Sequence, residues 1–375
     1  MTFVLGFFWV FFGASDIFWV AAVLFGKITG KFVYSGKGDN SARLIFQITT
    51  KYAPETVERA VASVRESCAE TGYTNYEIWI VTLNPTPNLK DKKTRWVFVP
   101  DTFKSVAKFK ALSLEFARKL RTEERYDGWI YFMDEENWIT AQTVRAITNF
   151  AIHGNAKIAS GPLVSRNGGS YAAWLGDSIR NSEGRINCLQ HSFGYWPAHG
   201  DNLLMEFSVE KDVGWEFPQL TEDVQFTGHA LDKGYHTGWH GGELDTVSAT
   251  SISDFIKQRR RWFRGILQCI FSPAVSARYR MLQTYIFVTG LMGTIILFGV
   301  TADLLFNITP FARAWFYSMP VIAIFAFLYF IGCRSNFKDR LVAGLFCWFF
   351  TLLEGIGAWS SIVLPPKGFD IIKKT

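Results

Sequence analysis

The stretch Trp129–Asn137, WIYFMDEEN, sets five apolar residues directly before three acids and an amide. Its apolar part has the length and the residue types of a buried β-strand. Ligands of open α/β sheets bind beyond the carboxyl ends of the strands, so the acids are expected at the ligand edge. Asp134 and Glu136 have the alternate spacing that lets two carboxylates share a hard cation such as Mg²⁺ or Mn²⁺. A solvated acidic turn is the other interpretation, and this stretch alone leaves both open.

Strands and helices alternate ahead of this stretch. Three further apolar runs predict strands, at Leu44–Thr49, Tyr76–Thr82 and Arg95–Pro100. Pro54–Cys68 predicts a helix with a proline in its first turn, and Ala107–Arg121 has the apolar stripe of a second helix. The alternation predicts an α/β domain over residues 40–250, with a mostly parallel sheet covered by helices on both faces.

A second acidic element, Thr221-Glu222-Asp223, opens another predicted helix. Thr221 stands at the N-cap, and Gly234 lies just past the predicted end of the helix. Acids in a first turn are favoured by the positive end of the helix, which alone would account for them. One of these carboxylates can instead act as a general base that takes a proton from an attacking hydroxyl. The residues by themselves leave both interpretations open.

A basic element, Gln258–Trp262 (QRRRW), lies inside a predicted amphipathic helix over residues 251–278. A helix lying in the membrane interface would carry such cations and aromatics. Arginines also bind diphosphates through paired hydrogen bonds, and a tryptophan offers a flat face to a sugar ring.

Apolar residues are concentrated at the two ends of the chain. The run Phe3–Phe25 is long enough to cross a bilayer and predicts a transmembrane helix within residues 1–30. About three more transmembrane helices are predicted within residues 281–366, at Met281–Phe306, Ala314–Cys333 and Leu341–Leu364. The four apolar runs predict a multi-pass integral membrane protein. The lysines that follow the first run predict that the central α/β domain lies on the cytoplasmic side. A cleaved signal peptide is the alternative for the first run, but no basic residue precedes it.

Charge and cysteine content exclude some classes of partner. The net charge of +6 fits a protein held against anionic lipid. The cations cluster beside apolar runs, so no nucleic-acid partner is predicted. The five cysteines show no paired spacing, which predicts neither a zinc site nor a disulfide framework.

In this order, the acid cluster, Thr-Glu-Asp and Gln-x-x-Arg-Trp resemble membrane-embedded family 2 glycosyltransferases, which include cellulose and hyaluronan synthases. The stretches ITTKYAPETVERAVASV, YFMDEENWIT and QRRRWFRGI look most like egghead-type β-1,4-mannosyltransferases, which extend glycolipids. The resemblance implies a GT-A-like domain flanked by transmembrane helices. It also implies inverting transfer of a sugar from a GDP- or UDP-hexose to a membrane lipid or lipid-linked glycan.

The resemblance also implies roles for individual residues. Asp134 and Glu136 would hold Mg²⁺ or Mn²⁺, and Asp223, next to Glu222, would be the catalytic base. Donor and diphosphate contacts would come from Lys110, Asp134, Gln258 and Arg261, and acceptor contacts from Trp262, His199 and Gly200. Arg261 is expected to face the diphosphate, and the other arginines of the motif to face lipid headgroups.

The chain departs from the family pattern at two points. Thr82-Leu83-Asn84 stands where relatives usually carry an acid that helps to hold the nucleoside. Asp-Glu-Glu also replaces the commoner Asp-x-Asp of the metal site, and the longer arm of a glutamate shifts the geometry. These departures leave the nucleotide open.

Other functions remain open. One is a processive polysaccharide synthase, although four predicted membrane segments are few for an export channel. Transfer to a lipid phosphate is disfavoured because such relatives generally lack Gln-x-x-Arg-Trp. A third is a non-catalytic membrane protein with a degenerate transferase domain.

Overall fold

The computed structural model describes residues 39–51, 54–84, 92–306 and 312–366. The predicted transmembrane helix within residues 1–30 lies outside these ranges. The strands of the described chain are β1 (Leu44–Thr50), β2 (Tyr76–Thr82), β3 (Thr94–Phe98), β4 (Trp129–Asp134), β5 (Trp138–Ile139), β6 (Ile158–Ser160), β7 (Leu163–Arg166), β8 (Leu203–Glu206), β9 (Thr237–Trp239) and β10 (Leu244–Val247).

The helices fall into two groups. Those of the α/β portion are α1 (Pro54–Thr71), α2 (Lys110–Glu123), α3 (Ala141–His153), α4 (Tyr171–Ser192), α5 (Phe207–Val213) and α6 (Glu222–Asp232). Those of the C-terminal portion are α7 (Ile252–Ile270), α8 (Ala277–Phe306), α9 (Ala312–Gly332), α10 (Phe337–Leu345) and α11 (Cys347–Val363).

The main sheet has seven strands in the order β3-β2-β1-β4-β8-β6-β9. Strands β1 to β4 run parallel, β8 is antiparallel to both of its neighbours, and β9 is parallel to β6. The chain leaves β1 towards β2 and β3 on one side, while β4 lies on the other side of β1. Ligands of such sheets bind at this change of direction, and there Thr49 of β1 is in register with Asp134 of β4.

Helices cover both faces of the sheet, which explains why its central strands are mostly apolar. On one face, Leu44, Phe46 and Ile48 of β1 pack with α1 and α3. On the other face, Ile45 of β1 shares a core with α2, α5 and α6. The predicted α/β architecture, mostly parallel with helices on both faces, is therefore confirmed.

Helix α4 joins the α/β portion to the C-terminal helices. Leu175 of α4 shares a buried cluster with Tyr329 of α9 and Phe350 of α11. The side-chain amide of Asn181 donates a 2.7 Å hydrogen bond to the backbone carbonyl of Gly332. A smaller three-stranded sheet has the order β5-β10-β7. Its strand β7 directly precedes α4 in the chain and runs parallel to β10.

The last apolar segment, predicted as one helix over Leu341–Leu364, is two helices. Helices α10 and α11 meet at an angle of 60°. Where side chains are described, no single helix has both the length and the hydropathy to cross a membrane, and this bent pair has them only when taken together. The domain limits predicted from the sequence remain predictions.

Candidate active site

Two predicted site residues meet at the end of β4. Asp134 is the last residue of β4, and its Oδ1 forms a 2.5 Å salt bridge with Nζ of Lys110. Lys110 is the first residue of α2, and Phe109 before it has a positive φ of 57°. Such a backbone is uncommon outside glycine and occurs often at functional sites. The tight turn at Phe109 thus starts α2 where its first side chain reaches the sheet edge.

The same ammonium group reaches two further elements. Lys110 donates a 3.0 Å hydrogen bond to the carbonyl of Gly200 and lies 3.7 Å from Oε1 of Glu222. Glu222 opens α6 behind Thr221, which occupies the N-cap position as predicted, although its hydroxyl makes no capping hydrogen bond. Lys110 therefore connects the acid of β4, the loop before β8 and the first turn of α6, whose residues are far apart in sequence.

Asp223 lies against Gly200. The backbone N–H of Gly200 donates to the Asp223 carboxylate, whose Oδ1 also accepts a 2.9 Å hydrogen bond from the N–H of Val224. A Cβ atom at position 200 would lie 3.1 Å from Oδ2 of Asp223, which is tighter than ordinary contact. A glycine at this position thus lets the loop approach the carboxylate closely.

The acids of this cluster hold their protons more tightly than ordinary carboxyls. Burial raises the pKa of Asp134 to about 6, and the charges of Glu136 and Asp201 add to it although Lys110 opposes them. Burial also raises the pKa of Glu222 and of Asp223, again against the opposing charge of Lys110. One ammonium group therefore does not neutralise the whole cluster.

Sequence reasoning missed Asp201, whose charge raises the pKa of both Asp134 and Asp223. It is followed by Asn202, which is buried and has a positive φ of 53°, a conformation that asparagine tolerates. The Asn202 side chain accepts a 2.5 Å hydrogen bond from the hydroxyl of Tyr131 and donates to the carbonyl of Pro162. The signal for Asp201 in the sequence is the stretch His199–Asn202 (HGDN), in which only His199 and Gly200 were predicted to belong to the site.

His199 lies in the same loop but is held by other partners. Its ring Nε2 is 3.3 Å from the side-chain nitrogen of Asn187, and its backbone N–H donates to the hydroxyl of Ser160. Burial lowers the pKa of His199, so its imidazole is neutral at pH 7. The positive charge of Arg180 lowers the pKa of His199 further, because α4, which carries Arg180, lies close to this loop.

The QRRRW motif lies on α7, inside the predicted interface segment. The guanidinium of Arg180 lies 3.9 Å, and that of Arg259 4.4 Å, from the ring centre of Trp262. The side-chain oxygen of Gln258 accepts a 2.8 Å hydrogen bond from Arg259. The charge of Arg261 lowers the pKa of Glu222, so Arg261 lies within electrostatic range of the acid cluster.

One prediction about the motif is wrong. Arg259 was expected to face lipid headgroups, but its side chain is only 1% exposed and lies between two carboxylates. Sequence alone hid this because one partner, Asp177, lies in α4 and the other, Glu354, lies in α11. A guanidinium buried so deeply requires such charged partners.

Asp134 and Glu136, the residues proposed for a metal, lie among further acids. Thr50 donates its hydroxyl to Glu135, which turns that acid towards the end of β1, while Glu136 acts electrostatically on Asp134. In the part of the chain that the structure describes, no three His, Cys, Asp or Glu side chains group closely enough to hold a metal alone. Mg²⁺ is commonly bound by one or two carboxylates plus substrate phosphates. The excess negative charge around Asp134 fits that mode of binding.

Asn84 follows β2, where relatives usually carry an acid. Its side-chain nitrogen donates a 2.7 Å hydrogen bond to the carbonyl of Lys51, and its N–H donates to the hydroxyl of Thr82. These contacts hold Asn84 beside the ends of β1 and β2, the edge at which ligands of such sheets bind.

The fold has a solved counterpart. The mannosyltransferase PcManGT from Pyrobaculum calidifontis, solved in complex with GDP-Man and Mn²⁺, superposes with a TM-score of 0.51 over 93% of this chain and 98% of that one. The two sequences are 14% identical, so the likeness concerns the fold. The α/β portion has the GT-A-like fold of glycosyltransferases.

The sequence family is also defined. Residues 129–333 match the model of the glycosyl transferase family group 2, and the chain belongs to that family. The match begins at β4 and extends to the end of α9, so it includes the acid cluster, α6 and the QRRRW motif.

Curated relatives are mannosyltransferases. The chain is 26% identical to beta-1,4-mannosyltransferase egh of Drosophila melanogaster over 303 residues, which are 76% of this chain and 65% of that protein. It is 28% identical to beta-1,4-mannosyltransferase bre-3 of Caenorhabditis elegans over 255 residues, 63% of this chain and 55% of that one. The matched regions thus span less than two thirds of these relatives, and the predicted resemblance is confirmed at the level of the family.

Proposed function

We propose that the chain is an inverting hexosyltransferase that moves mannose from GDP-mannose to a membrane-associated glycolipid acceptor. The observation that carries the proposal is the convergence on Lys110 of Asp134, Glu222 and the Gly200 loop, with Asp223 against that loop. Family membership supports the transferase activity. The names of the relatives and of the fold counterpart support mannose and GDP in preference to a UDP-hexose.

In the proposed reaction, Asp223 removes the proton from an acceptor hydroxyl. The freed oxygen forms a bond to the anomeric carbon from the face opposite the diphosphate, the carbon–phosphate-oxygen bond breaks, and GDP leaves with the bonding electrons. A base with a raised pKa suits this step, because it holds the proton it has taken more firmly. Gly200 orients the Asp223 carboxylate by donating its N–H.

Cations of the chain would stabilise the leaving diphosphate. Lys110 lies between Asp134 and Glu222, and Arg261 is near enough to Glu222 to lower its pKa. Mg²⁺ or Mn²⁺, when bound by Asp134 and Glu136 together with the diphosphate, would supply further positive charge to the leaving group. Gln258 and Trp262 would contact the donor and the acceptor from α7.

A membrane-associated acceptor is supported by the apolar surface of α10 and α11. Side chains that are large, apolar and exposed follow one another there: Phe337, Leu341, Leu345, Phe346, Trp348, Ile356, Trp359, Ile362 and Val363. Soluble monomers rarely expose so many apolar side chains together, and a lipid surface would cover them. We propose that the protein is integral to the membrane, with the active site on the cytoplasmic side.

The test is release of nucleoside diphosphate by the full-length chain in detergent, with GDP-mannose or UDP-hexoses, Mn²⁺ and a glycolipid acceptor. We expect turnover with GDP-mannose and a product one mannose heavier than the acceptor. Asp223→Asn should reduce turnover by about 10²–10⁴-fold while GDP binding is unchanged, because only the base is lost. Glu216→Gln removes an exposed acid and should leave turnover intact.

The same assay separates the alternatives. Products of many lengths would identify a processive synthase, and absence of turnover with every donor would support a degenerate domain. Normal turnover by Asp223→Asn would remove Asp223 from the role of base.

A further inference from the structure

Arg259 connects three elements through a buried ion network. Its Nη2 lies 2.5 Å from Oδ1 of Asp177 in α4, and its Nε lies 2.5 Å from Oε1 of Glu354 in α11. Burial alone would raise the pKa of Asp177, yet the charges of Arg259 and Arg180 hold that pKa below its ordinary value. The Asp177 carboxylate is therefore ionised, and its contact with Arg259 is an ion pair.

The remaining contacts of Arg259 reach the motif itself. Nη1 donates to the side-chain oxygen of Gln258, and the guanidinium lies over the ring of Trp262. Arg180, which lies 3.6 Å from Asp177, contacts the same ring. The orientations of the Gln258 amide and the Trp262 indole thus depend on one network that begins in α4 and α11.

Helix α11 approaches α7 closely enough to join this network. A Cβ atom at Gly357 would lie 2.3 Å from Cβ of Arg259, and one at Gly355 would collide with Thr294 of α8. Two glycines on either side of Ile356 therefore let α11 lie against α7 and α8, and Glu354 then reaches Arg259.

We propose that Arg259 is a positioning residue, which through Asp177 and Glu354 orients Gln258 towards the donor and Trp262 towards the acceptor. The proposal rests on the transferase function above, and it makes α11 part of the active site. A guanidinium is needed because Arg259 uses three nitrogens in three directions, whereas a lysine has one nitrogen.

Arg259→Lys tests the proposal, and Arg121→Lys is its matched control. Arg121 is equally buried and also uses three nitrogens, two towards Glu210 and one towards Gln47, but it belongs to the core of α2 and the sheet. We expect Arg259→Lys to lower kcat for transfer on the order of 10²-fold through misplaced motif side chains. Arg121→Lys should lower the Tm and leave kcat of the folded enzyme unchanged.

Glu354→Gln and Glu354→Ala give a graded comparison. Glutamine keeps an oxygen that can accept from Nε of Arg259, so it should retain more kcat than alanine, which keeps none. Wild-type kcat in both Arg259→Lys and Glu354→Ala, with only a fall in Tm like that of Arg121→Lys, would overturn the proposal.

A measurement without turnover keeps the inference separate from the function. Amide hydrogen exchange in residues 258–262 should rise in Arg259→Lys relative to Arg121→Lys, and unchanged exchange there would also overturn the proposal. Inactivity of the wild-type protein with every donor would instead refute the proposed function, and the exchange comparison would still decide the inference.

Discussion

Lys110 supplies the positive charge that faces two acids of the site. It faces Asp134 and Glu222 with one ammonium group, and burial raises the pKa of both acids despite that neighbour. A second positive charge, from a metal ion or from Arg261, is therefore expected when the diphosphate enters. The excess of acids over cations in the cluster is what a site that binds cations together with an anionic ligand requires.

The first residue-scale prediction concerns pH. A carboxyl whose pKa is raised is protonated at a higher pH than usual, and only its ionised form can accept a proton or bind a cation. Since the pKa of Asp134 is about 6 and that of Asp223 is also raised, kcat/KM should fall as the pH drops from about 7 to about 5. Ordinary carboxyls titrate near 4 and would leave this range flat.

The measurement is kcat/KM for nucleoside diphosphate release across this range, with the Tm recorded at each pH to exclude unfolding. A rate that stays constant down to about pH 5 would contradict the raised pKa values. A fall in Tm that parallels the rate would assign the loss to stability instead.

At the scale of elements, the position of α7 against α6 depends on one close contact. A Cβ atom at Gly265 of α7 would lie 2.2 Å from the hydroxyl of Thr221, the residue before the Glu222-Asp223 pair. The motif helix and the helix that carries the base are thus packed at the distance that a glycine permits.

Gly265→Ala is therefore expected to lower turnover at least several-fold and to reduce the Tm. Alanine is favoured over glycine inside a helix by about 1 kcal/mol, so a loss would report the contact with Thr221 and not a weaker helix. Combining Gly265→Ala with Thr221→Ala removes the hydroxyl and methyl that obstruct the new Cβ and should restore part of the turnover. An unchanged Tm and rate in Gly265→Ala would show that the two helices can separate without cost.

The elements that the sequence predicts well are those whose evidence is local. Apolar runs of strand length predicted β1, β2 and β4 to within one residue, because strands buried on both faces are mostly apolar. The acids at their ends followed from the direction of the strands. Hydropathy did not predict the 60° bend between α10 and α11, because it records how apolar a segment is and not the direction of its axis.

Contacts between residues that are far apart in the sequence were not predicted. Arg259 read as a surface cation because Glu354, one of its partners, is 95 residues away. Asp201 had only its place in the HGDN stretch as a signal, and its effect on the site depends on a loop that Asn202 holds beside β4. Such partnerships depend on the final packing of distant elements, which composition and periodicity do not encode.

At the scale of the whole molecule, the apolar surface of α10 and α11 should lie in lipid. All five native cysteines are buried, so a single introduced cysteine can report its surroundings. Leu345→Cys, at a position 64% exposed, should resist a water-soluble maleimide in membranes and react after detergent extraction. Phe193→Cys, at a position 71% exposed in the α/β portion, should react in both.

Equal labelling of the two cysteines in intact membranes would contradict a lipid contact for α10. Labelling of the parent protein under the same conditions is the control, and it should be negligible in the folded state.

The reach of α11 into the site has a consequence for synthesis on the ribosome. Glu354 follows Asp134 by 220 residues (354 minus 134), and at ordinary rates of translation roughly 10–45 s separate their emergence. During that interval the growing chain already carries its acid cluster but lacks the partner that orients Gln258 and Trp262. Under the proposed role of Arg259, the full rate of sugar transfer is therefore expected only after α11 has been made, and a nascent or prematurely terminated chain that lacks Glu354 is expected to transfer sugar more slowly.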